Sequence, residues 1–276
     1  MSDLLYVHWN VNPDIFHLGG ITVRWYGLLF VSGFILGYYI FRRFFQREGI
    51  PADKVIDPLL YTLLIGTLVG ARLGHCIFYQ PDYYFGSLKG FLEIFQPWKG
   101  GLASHGGAVA LILAMIWFAR KYGRKYNFDT LWLLDHLAIA TAFAGAFIRF
   151  GNLMNSEIYG DVTTLPWGFI FERVGETQPK HPTQLYEALS YLILGIILVI
   201  LYNKRLDKMY RGTFIGLFLV GCFGMRFLIE FIKEPQVEFE VNMALDMGQI
   251  LSIPFILIGI GFLVYAYMRK IPARKI

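Results

Sequence analysis

Residues 184–202 read QLYEALSYLILGIILVILY, with one ionisable side chain, Glu187, near the head and Lys204 and Arg205 just past the tail. A helix rises about 1.5 Å per residue, so a run of this length crosses the ~30 Å of hydrocarbon in a bilayer. An isolated segment in lipid must satisfy its backbone hydrogen bonds within itself, which predicts a helix. Working outward, the same criterion finds seven spans, at about 23–41, 57–79, 103–119, 131–149, 184–202, 213–231 and 249–268. Composition agrees: 56% of the residues are apolar and 16% are charged, where a soluble domain carries roughly 25% charge. The expected fold class is an all-α polytopic integral membrane protein. It is one membrane-embedded domain over residues 1–276, with seven transmembrane helices and outer loops forming a small head.

The net charge of +5 matters through its placement. Arg42, Arg43, Arg47 and Lys54 follow the first span; Arg120, Lys121, Arg124 and Lys125 the third; Lys204, Arg205, Lys208 and Arg211 the fifth; and Arg269, Lys270, Arg274 and Lys275 the last. The opposite connections hold only Lys89, Lys99, Arg173, Lys180 and Lys233. Positive charge marks cytoplasmic loops, so the N-terminus is expected outside and the C-terminus in the cytoplasm. Basic residues confined to short clusters beside apolar runs exclude nucleic acid as a partner and point to the bilayer. Residues 1–20 lack both a basic start and an apolar core, so no cleavable signal peptide is expected and the first span inserts directly.

Gly66, Gly70 and Gly74, and likewise Ala138, Ala142 and Ala146, stand four apart, which lets neighbouring helices approach closely. Cys76 and Cys222 lie within apolar runs and read as small core residues. The outer loops, about 80–102, 150–183 and 232–248, are longer than the inner ones and rich in Gly, Pro and aromatics.

Ionisable groups inside spans are expensive, and their positions direct the functional reading. Arg24, Arg72, Arg149 and Arg226 all map near outer span ends, the side the topology signals avoid. His75 shares a face with Arg72, Asn152 with Arg149, and Glu230 stands four residues after Arg226, in pairing range. His105, His181, Gln184, Glu187, Asp246 and Gln249 open spans at the same level, whereas Asp135 and His136 lie at the inner end of span four as a helix-start carboxylate beside an interfacial histidine. Arginines with few compensating acids suggest a bound anion, since guanidinium grips phosphate bidentately and keeps its charge. At this depth the abundant anion is a phospholipid head group.

Three strings sharpen this. Gly100-Gly101-Leu102-Ala103-Ser104-His105-Gly106-Gly107 sets a histidine between glycine pairs, where backbone can approach a ligand. Arg149-Phe150-Gly151-Asn152-Leu153-Met154-Asn155-Ser156-Glu157-Ile158-Tyr159-Gly160 leaves span four. His181-Pro182-Thr183-Gln184-Leu185-Tyr186-Glu187 opens span five. The second resembles the signature of the prolipoprotein diacylglyceryl transferases, Gly-Arg-x-Gly-Asn-Phe-x-Asn-x-Glu-x-x-Gly. Ile148 stands for its leading glycine and Leu153 for its phenylalanine, both apolar changes. The third is similar to the family's span-five string, and Arg24-Trp25-Tyr26-Gly27-Leu28, Arg226-Phe227-Leu228-Ile229-Glu230-Phe231 and Gly248-Gln249-Ile250-Leu251-Ser252 match in order, so the resemblance covers nearly the whole chain.

The resemblance implies transfer of sn-1,2-diacylglyceryl from phosphatidylglycerol to the lipobox cysteine of a prolipoprotein. A thioether forms and glycerol phosphate leaves, the first step of lipoprotein maturation. It implies a multi-pass protein of the bacterial cytoplasmic membrane with its site toward the outer leaflet, and no cofactor or metal. His105 is the candidate base, with Glu157 and Glu187 as alternatives; Arg149 and Arg226 clamp the phosphate. Tyr26, Asn152, Asn155, Glu157 and Gly160 position head group and loop, and Glu230 holds Arg226; Arg24 is assigned no catalytic role. A rhomboid-like protease would need Gly-x-Ser-x with His on a separate helix, but Ser104 and His105 are adjacent. A retinal protein would need a lysine within 249–268, which has none. A transporter or binding protein for anionic lipids explains the arginines equally well, but not the ordered strings.

Overall fold

A computed structural model describes residues 6–19, 21–235 and 243–273. In chain order the elements are β1 (Val7–Trp9), β2 (Asp14–Leu18), β3 (Ile21–Arg24), α1 (Trp25–Arg47), α2 (Ala52–Phe78), α3 (Pro81–Phe85), α4 (Leu88–Glu93) and α5 (Ser104–Phe118). They continue as α6 (Arg124–Tyr126), α7 (Thr130–Asn155), β4 (Phe169–Phe171), α8 (Thr183–Arg205), α9 (Thr213–Glu230) and α10 (Met247–Arg269). Among the described residues, six helices, α1, α2, α7, α8, α9 and α10, are long and apolar enough to cross a membrane. The chain is a multi-pass, mostly helical membrane protein. The span expected at 103–119 coincides with α5, whose 15 residues pass into a π-helical turn at Ala119–Gly123 and then α6. Several helices overrun the expected inner ends: α1 includes Arg42, Arg43 and Arg47. Apolar counting finds the hydrocarbon stretch, whereas helical hydrogen bonding continues into the charged flank.

The described residues form two compact units, one within 6–41 and 135–273 and the other within 42–134. In the second, α2 lies along α5. A Cβ on Gly70 would stand 2.1 Å from Ala110 Cβ, and one on Gly74 2.8 Å from Gly106 Cα, so the glycine stripe is a contact surface as expected. Phe45, Phe118, Phe128 and Trp132 stack into an aromatic nucleus, and the buried Trp132 indole donates to Glu48 Oε2 at 2.8 Å.

In the first unit, α8 packs on α9 and α9 on α10. Gly216 and Gly259 face one another there, a Cβ on either falling within 3.0 Å of the other's carbonyl oxygen. β2 and β3 form an antiparallel hairpin, and β1 pairs in parallel with β4. Under the β1–β4 pair lies an apolar cluster of Leu153, Phe169 and Phe171, with Trp9, Phe150, Tyr159 and Leu185 against it. Trp9 Nε1 donates to the Leu153 carbonyl at 3.0 Å, tying the end of α7 to β1.

Of the polar residues that the sequence placed at span ends, Asp246, Gln249 and Asp135 prove to be caps. Asp246 and Gln249 form a reciprocal capping box on α10. Asp135 does not cap its own helix: its carboxylate accepts from Gly212 N at 2.7 Å and Ile215 N at 2.9 Å, closing the start of α9 from α7. Gly212 has no side chain to cap α9 with, so the acceptor comes from across the packing interface.

Candidate active site

Three helix ends of the first unit bring buried ionisable groups together. Arg149 on α7 sets Nε 2.6 Å from Glu187 Oε2 on α8. The other oxygen of Glu187 lies 3.2 Å from Lys233 Nζ, which also reaches Glu230 Oε2 of α9 at 3.1 Å. The Glu187 side chain is 0% exposed and that of Lys233 1%, so this is an interior chain of alternating charge. Breaking such a pair by removing one partner costs about 3–5 kcal/mol, because the other charge stays buried.

The network continues through amides. Arg149 Nη1 donates to Asn152 Oδ1 at 3.2 Å, Asn152 Nδ2 donates to Glu157 Oε1 at 2.7 Å, and Asn155 Nδ2 reaches the same oxygen at 3.1 Å. The two asparagines of the signature therefore serve one carboxylate. Ser156 and Ile158, flanking Glu157, have φ of 55° and 62°. The left-handed region is costly for a β-branched residue and persists where surroundings over-determine it. Here Gln184 Nε2 holds the Glu157 carbonyl at 2.7 Å and Thr183 Oγ1 holds that of Ile158 at 2.8 Å. The head of α8, the third string, is thus the splint for the second.

Two signature glycines have steric reasons. A Cβ on Gly160 would lie 2.2 Å from the Ile232 carbonyl oxygen, where the loop bridges the chain leaving α9. One on Gly151 would lie 2.7 Å from Tyr26 Cδ2, so the Tyr26 ring lies against α7 between Arg149 and Asn152 in sequence. Gly248 of α10 is similar: its Cβ would strike the Glu230 carboxyl at 2.3 Å.

The four arginines are not the uncompensated set expected. Arg24 pairs with Asp14 at 2.9 Å on the hairpin. Buried Arg72 gives its guanidinium to the carbonyls of Glu93, Ile94, Gly100 and Gly101. Arg149 is matched by Glu187. Arg226 is half-buried and feels the charges of Glu187 and Glu230, yet among the described residues it makes no ion pair or hydrogen bond. Glu230, expected to hold Arg226, directs its carboxylate to Lys233 instead. The compensating acids come from other helices, which spacing along one helix does not reveal.

His105 belongs to the second unit. Its exposed ring lies 5.4 Å from that of Phe78 and 5.8 Å from that of Tyr79, and Tyr79 also stacks on His75 at 5.5 Å. Neither imidazole nitrogen of His105 hydrogen-bonds to another described residue. Arg72 orders the segment before it: Gly100 and Gly101 have φ of 87° and 72°, and a Cβ on Gly101 would lie 2.6 Å from the His75 ring and 2.8 Å from Arg72 Nη1. The glycine pair thus makes room for these two side chains.

Two lysines that the sequence counted only as outer-loop charges are buried. Lys180 reaches Glu176 and Glu234, and Tyr159 donates to Glu176 Oε1 at 2.8 Å. Burial opposes the charge of Lys180, but the hydrogen bond from Glu234 and the two carboxylates outweigh it and raise its pKa. Lys233 is the other; its spacing of three from Glu230 was the available sign.

The model of the family described as prolipoprotein diacylglyceryl transferase matches residues 13–265. A phosphatidylglycerol–prolipoprotein diacylglyceryl transferase of Bacteroides fragilis is 45% identical over 97% of this chain and 98% of its own length. Proteins of the same name from Tolumonas auensis and Vibrio cholerae are 45% and 36% identical, over 95% and 94% of this chain and 98% and 93% of theirs.

Proposed function

This chain belongs to the prolipoprotein diacylglyceryl transferase family, and on that premise we propose that it moves the sn-1,2-diacylglyceryl group of phosphatidylglycerol onto the lipobox cysteine of a prolipoprotein in the bacterial inner membrane. The thiolate sulfur attacks the glyceryl carbon, a C–S bond forms as the C–O bond to phosphate breaks, and glycerol phosphate departs with one more negative charge. The thiol proton passes to a base, which the reaction needs because a free cysteine is mostly protonated at neutral pH.

The observation that carries the site assignment is Arg226, a half-buried guanidinium with no ion pair or hydrogen bond among the described residues, beside a network in which Arg149, Glu187, Glu230 and Lys233 are matched. Its donors are available to a phosphate, and they strengthen as charge builds on the leaving oxygen. Arg149 serves the same phosphate from a fixed position, with Glu187 holding Nε and Asn152 holding Nη1. Tyr26, Asn152, Asn155, Glu157, Gly160 and Glu230 shape and fix this surface. For the base, Glu187 has an oxygen committed to each of two cations, and Glu157 accepts two amide donors on one oxygen. His105, neither of whose ring nitrogens hydrogen-bonds to another described residue, is our candidate proton acceptor. We take the site to face the outer leaflet, with α5 as the seventh span.

The test is a lipobox peptide incubated with purified protein and phosphatidylglycerol, followed by mass. The expected product is a diacylglyceryl-peptide, lost in Arg226→Ala. Full transfer by Arg226→Ala would remove the clamp, and binding of anionic lipid with no adduct in wild type would turn the reading to a lipid transporter.

A further inference from the structure

We infer that Lys233 is a positioning residue for the proposed transfer, the buried ammonium that holds Glu230 off Arg226 and leaves that guanidinium for phosphate; this rests on the transferase reading. Lys233 stands just beyond α9, its backbone fixed by the bridge to Gly160 and by donation of its N–H to the Glu230 carbonyl at 3.1 Å. Its side chain is 1% exposed and ends between two carboxylates, 3.2 Å from Glu187 and 3.1 Å from Glu230. An ammonium is strongly hydrated, so holding it in the interior is expensive unless those acids engage it.

The acids in question are the two whose charges act on Arg226. Glu230 lies four residues after Arg226 on the same helix, the spacing at which such pairs close. Yet its Oε2 goes to Lys233, and Glu187 divides its oxygens between Arg149 and Lys233. Gly248 leaves room for the Glu230 carboxyl, since a Cβ there would lie 2.3 Å from its carbon. Without the ammonium, Glu187 keeps Arg149, whereas the Glu230 carboxylate is released toward Arg226, four residues before it on the same helix, and the Arg226 donors are spent on a protein acid. Lys233 therefore acts on phosphatidylglycerol through Arg226, without touching the lipid.

The experiment measures initial rates of lipobox-peptide modification against phosphatidylglycerol in mixed micelles, for wild type, Lys233→Met, Glu230→Gln and Lys233→Met/Glu230→Gln. Lys233→Met alone is expected to lower kcat/KM for phosphatidylglycerol about tenfold or more, with kcat falling as well as KM rising, because Arg226 serves both the bound lipid and the departing phosphate. The double variant removes the acid four residues from Arg226 and is expected to recover about threefold or more of that loss. A loss of fold alone would not produce that recovery. An unchanged kcat/KM in Lys233→Met, or a double variant no better than Lys233→Met alone, would overturn the inference. Should Lys233→Met fail to give a monodisperse protein, the double is compared with Glu230→Gln: a loss under about threefold supports the role and a tenfold loss overturns it. No adduct from wild type would defeat the transferase reading itself, whatever the Lys233 variants do.

Discussion

Replacing Asp135 by alanine tests how α9, which carries Arg226 and Glu230, is held. The carboxylate accepts from Gly212 N at 2.7 Å and Ile215 N at 2.9 Å and is 2% exposed. α9 has no side-chain cap of its own. Removing the acceptors leaves two buried N–H groups without partners, at about 1–3 kcal/mol each, for a total of roughly 2–6 kcal/mol. At roughly 2–4 °C per kcal/mol for a chain of this size, Tm should fall by about 4–24 °C. Asp135→Asn keeps one acceptor oxygen and should fall between. The assay is thermal unfolding in detergent with transfer measured well below Tm; since Asp135 lies fourteen residues before Arg149 on α7, about 21 Å along the helix, KM for phosphatidylglycerol should stay within about threefold. A Tm within about 1 °C of wild type for Asp135→Ala would refute the cross-helix cap.

Three further outcomes follow from the same geometry. Arg72→Met frees four backbone carbonyls and should cost the second unit roughly 3 kcal/mol or more, read as faster tryptic cleavage after Lys99; unchanged cleavage would show that the segment 93–101 holds without it. Gly160→Ala places a methyl 2.2 Å from the Ile232 carbonyl oxygen, and the forced shift should cut transfer by about tenfold to a hundredfold in a protein that still folds; activity equal to wild type would contradict this. Burial, then the hydrogen bond to Glu176, push the Tyr159 phenol from 10.0 to about 12. The folded head keeps a proton that the unfolded chain releases near 10, so its stability is full below about pH 10 and falls as pH rises toward 12; Tyr159→Phe should flatten that fall in alkaline unfolding scans.

The sequence made the membrane class legible because apolar length answers directly to bilayer thickness. It made the glycine face of α2 legible because its spacing of four matches the helix repeat. It also put Arg149, Asn152, Asn155 and Glu157 in one string, and they do form one hydrogen-bonded chain. The charge balance was not legible. Glu187 is 38 positions from Arg149 and 46 from Lys233, and only tertiary packing makes them partners. Arg72 shows the same limit from the other side: an arginine read as an anion ligand is spent on backbone carbonyls of a non-helical segment, for which sequence has no periodic signal. Loop lysines read as topology markers proved buried, because the connections that carry them are packed structure, with β-bridges joining Gly160 to Lys233 and Phe169 to Lys180.

The most direct measurement of the central claim follows both products of one turnover with phosphatidylglycerol labelled in its head group. The account predicts one glycerol phosphate released for each thioether-linked diacylglyceryl-peptide formed, with both lost together in Arg226→Ala. Adduct formation without glycerol phosphate, or its release without peptide, would contradict it.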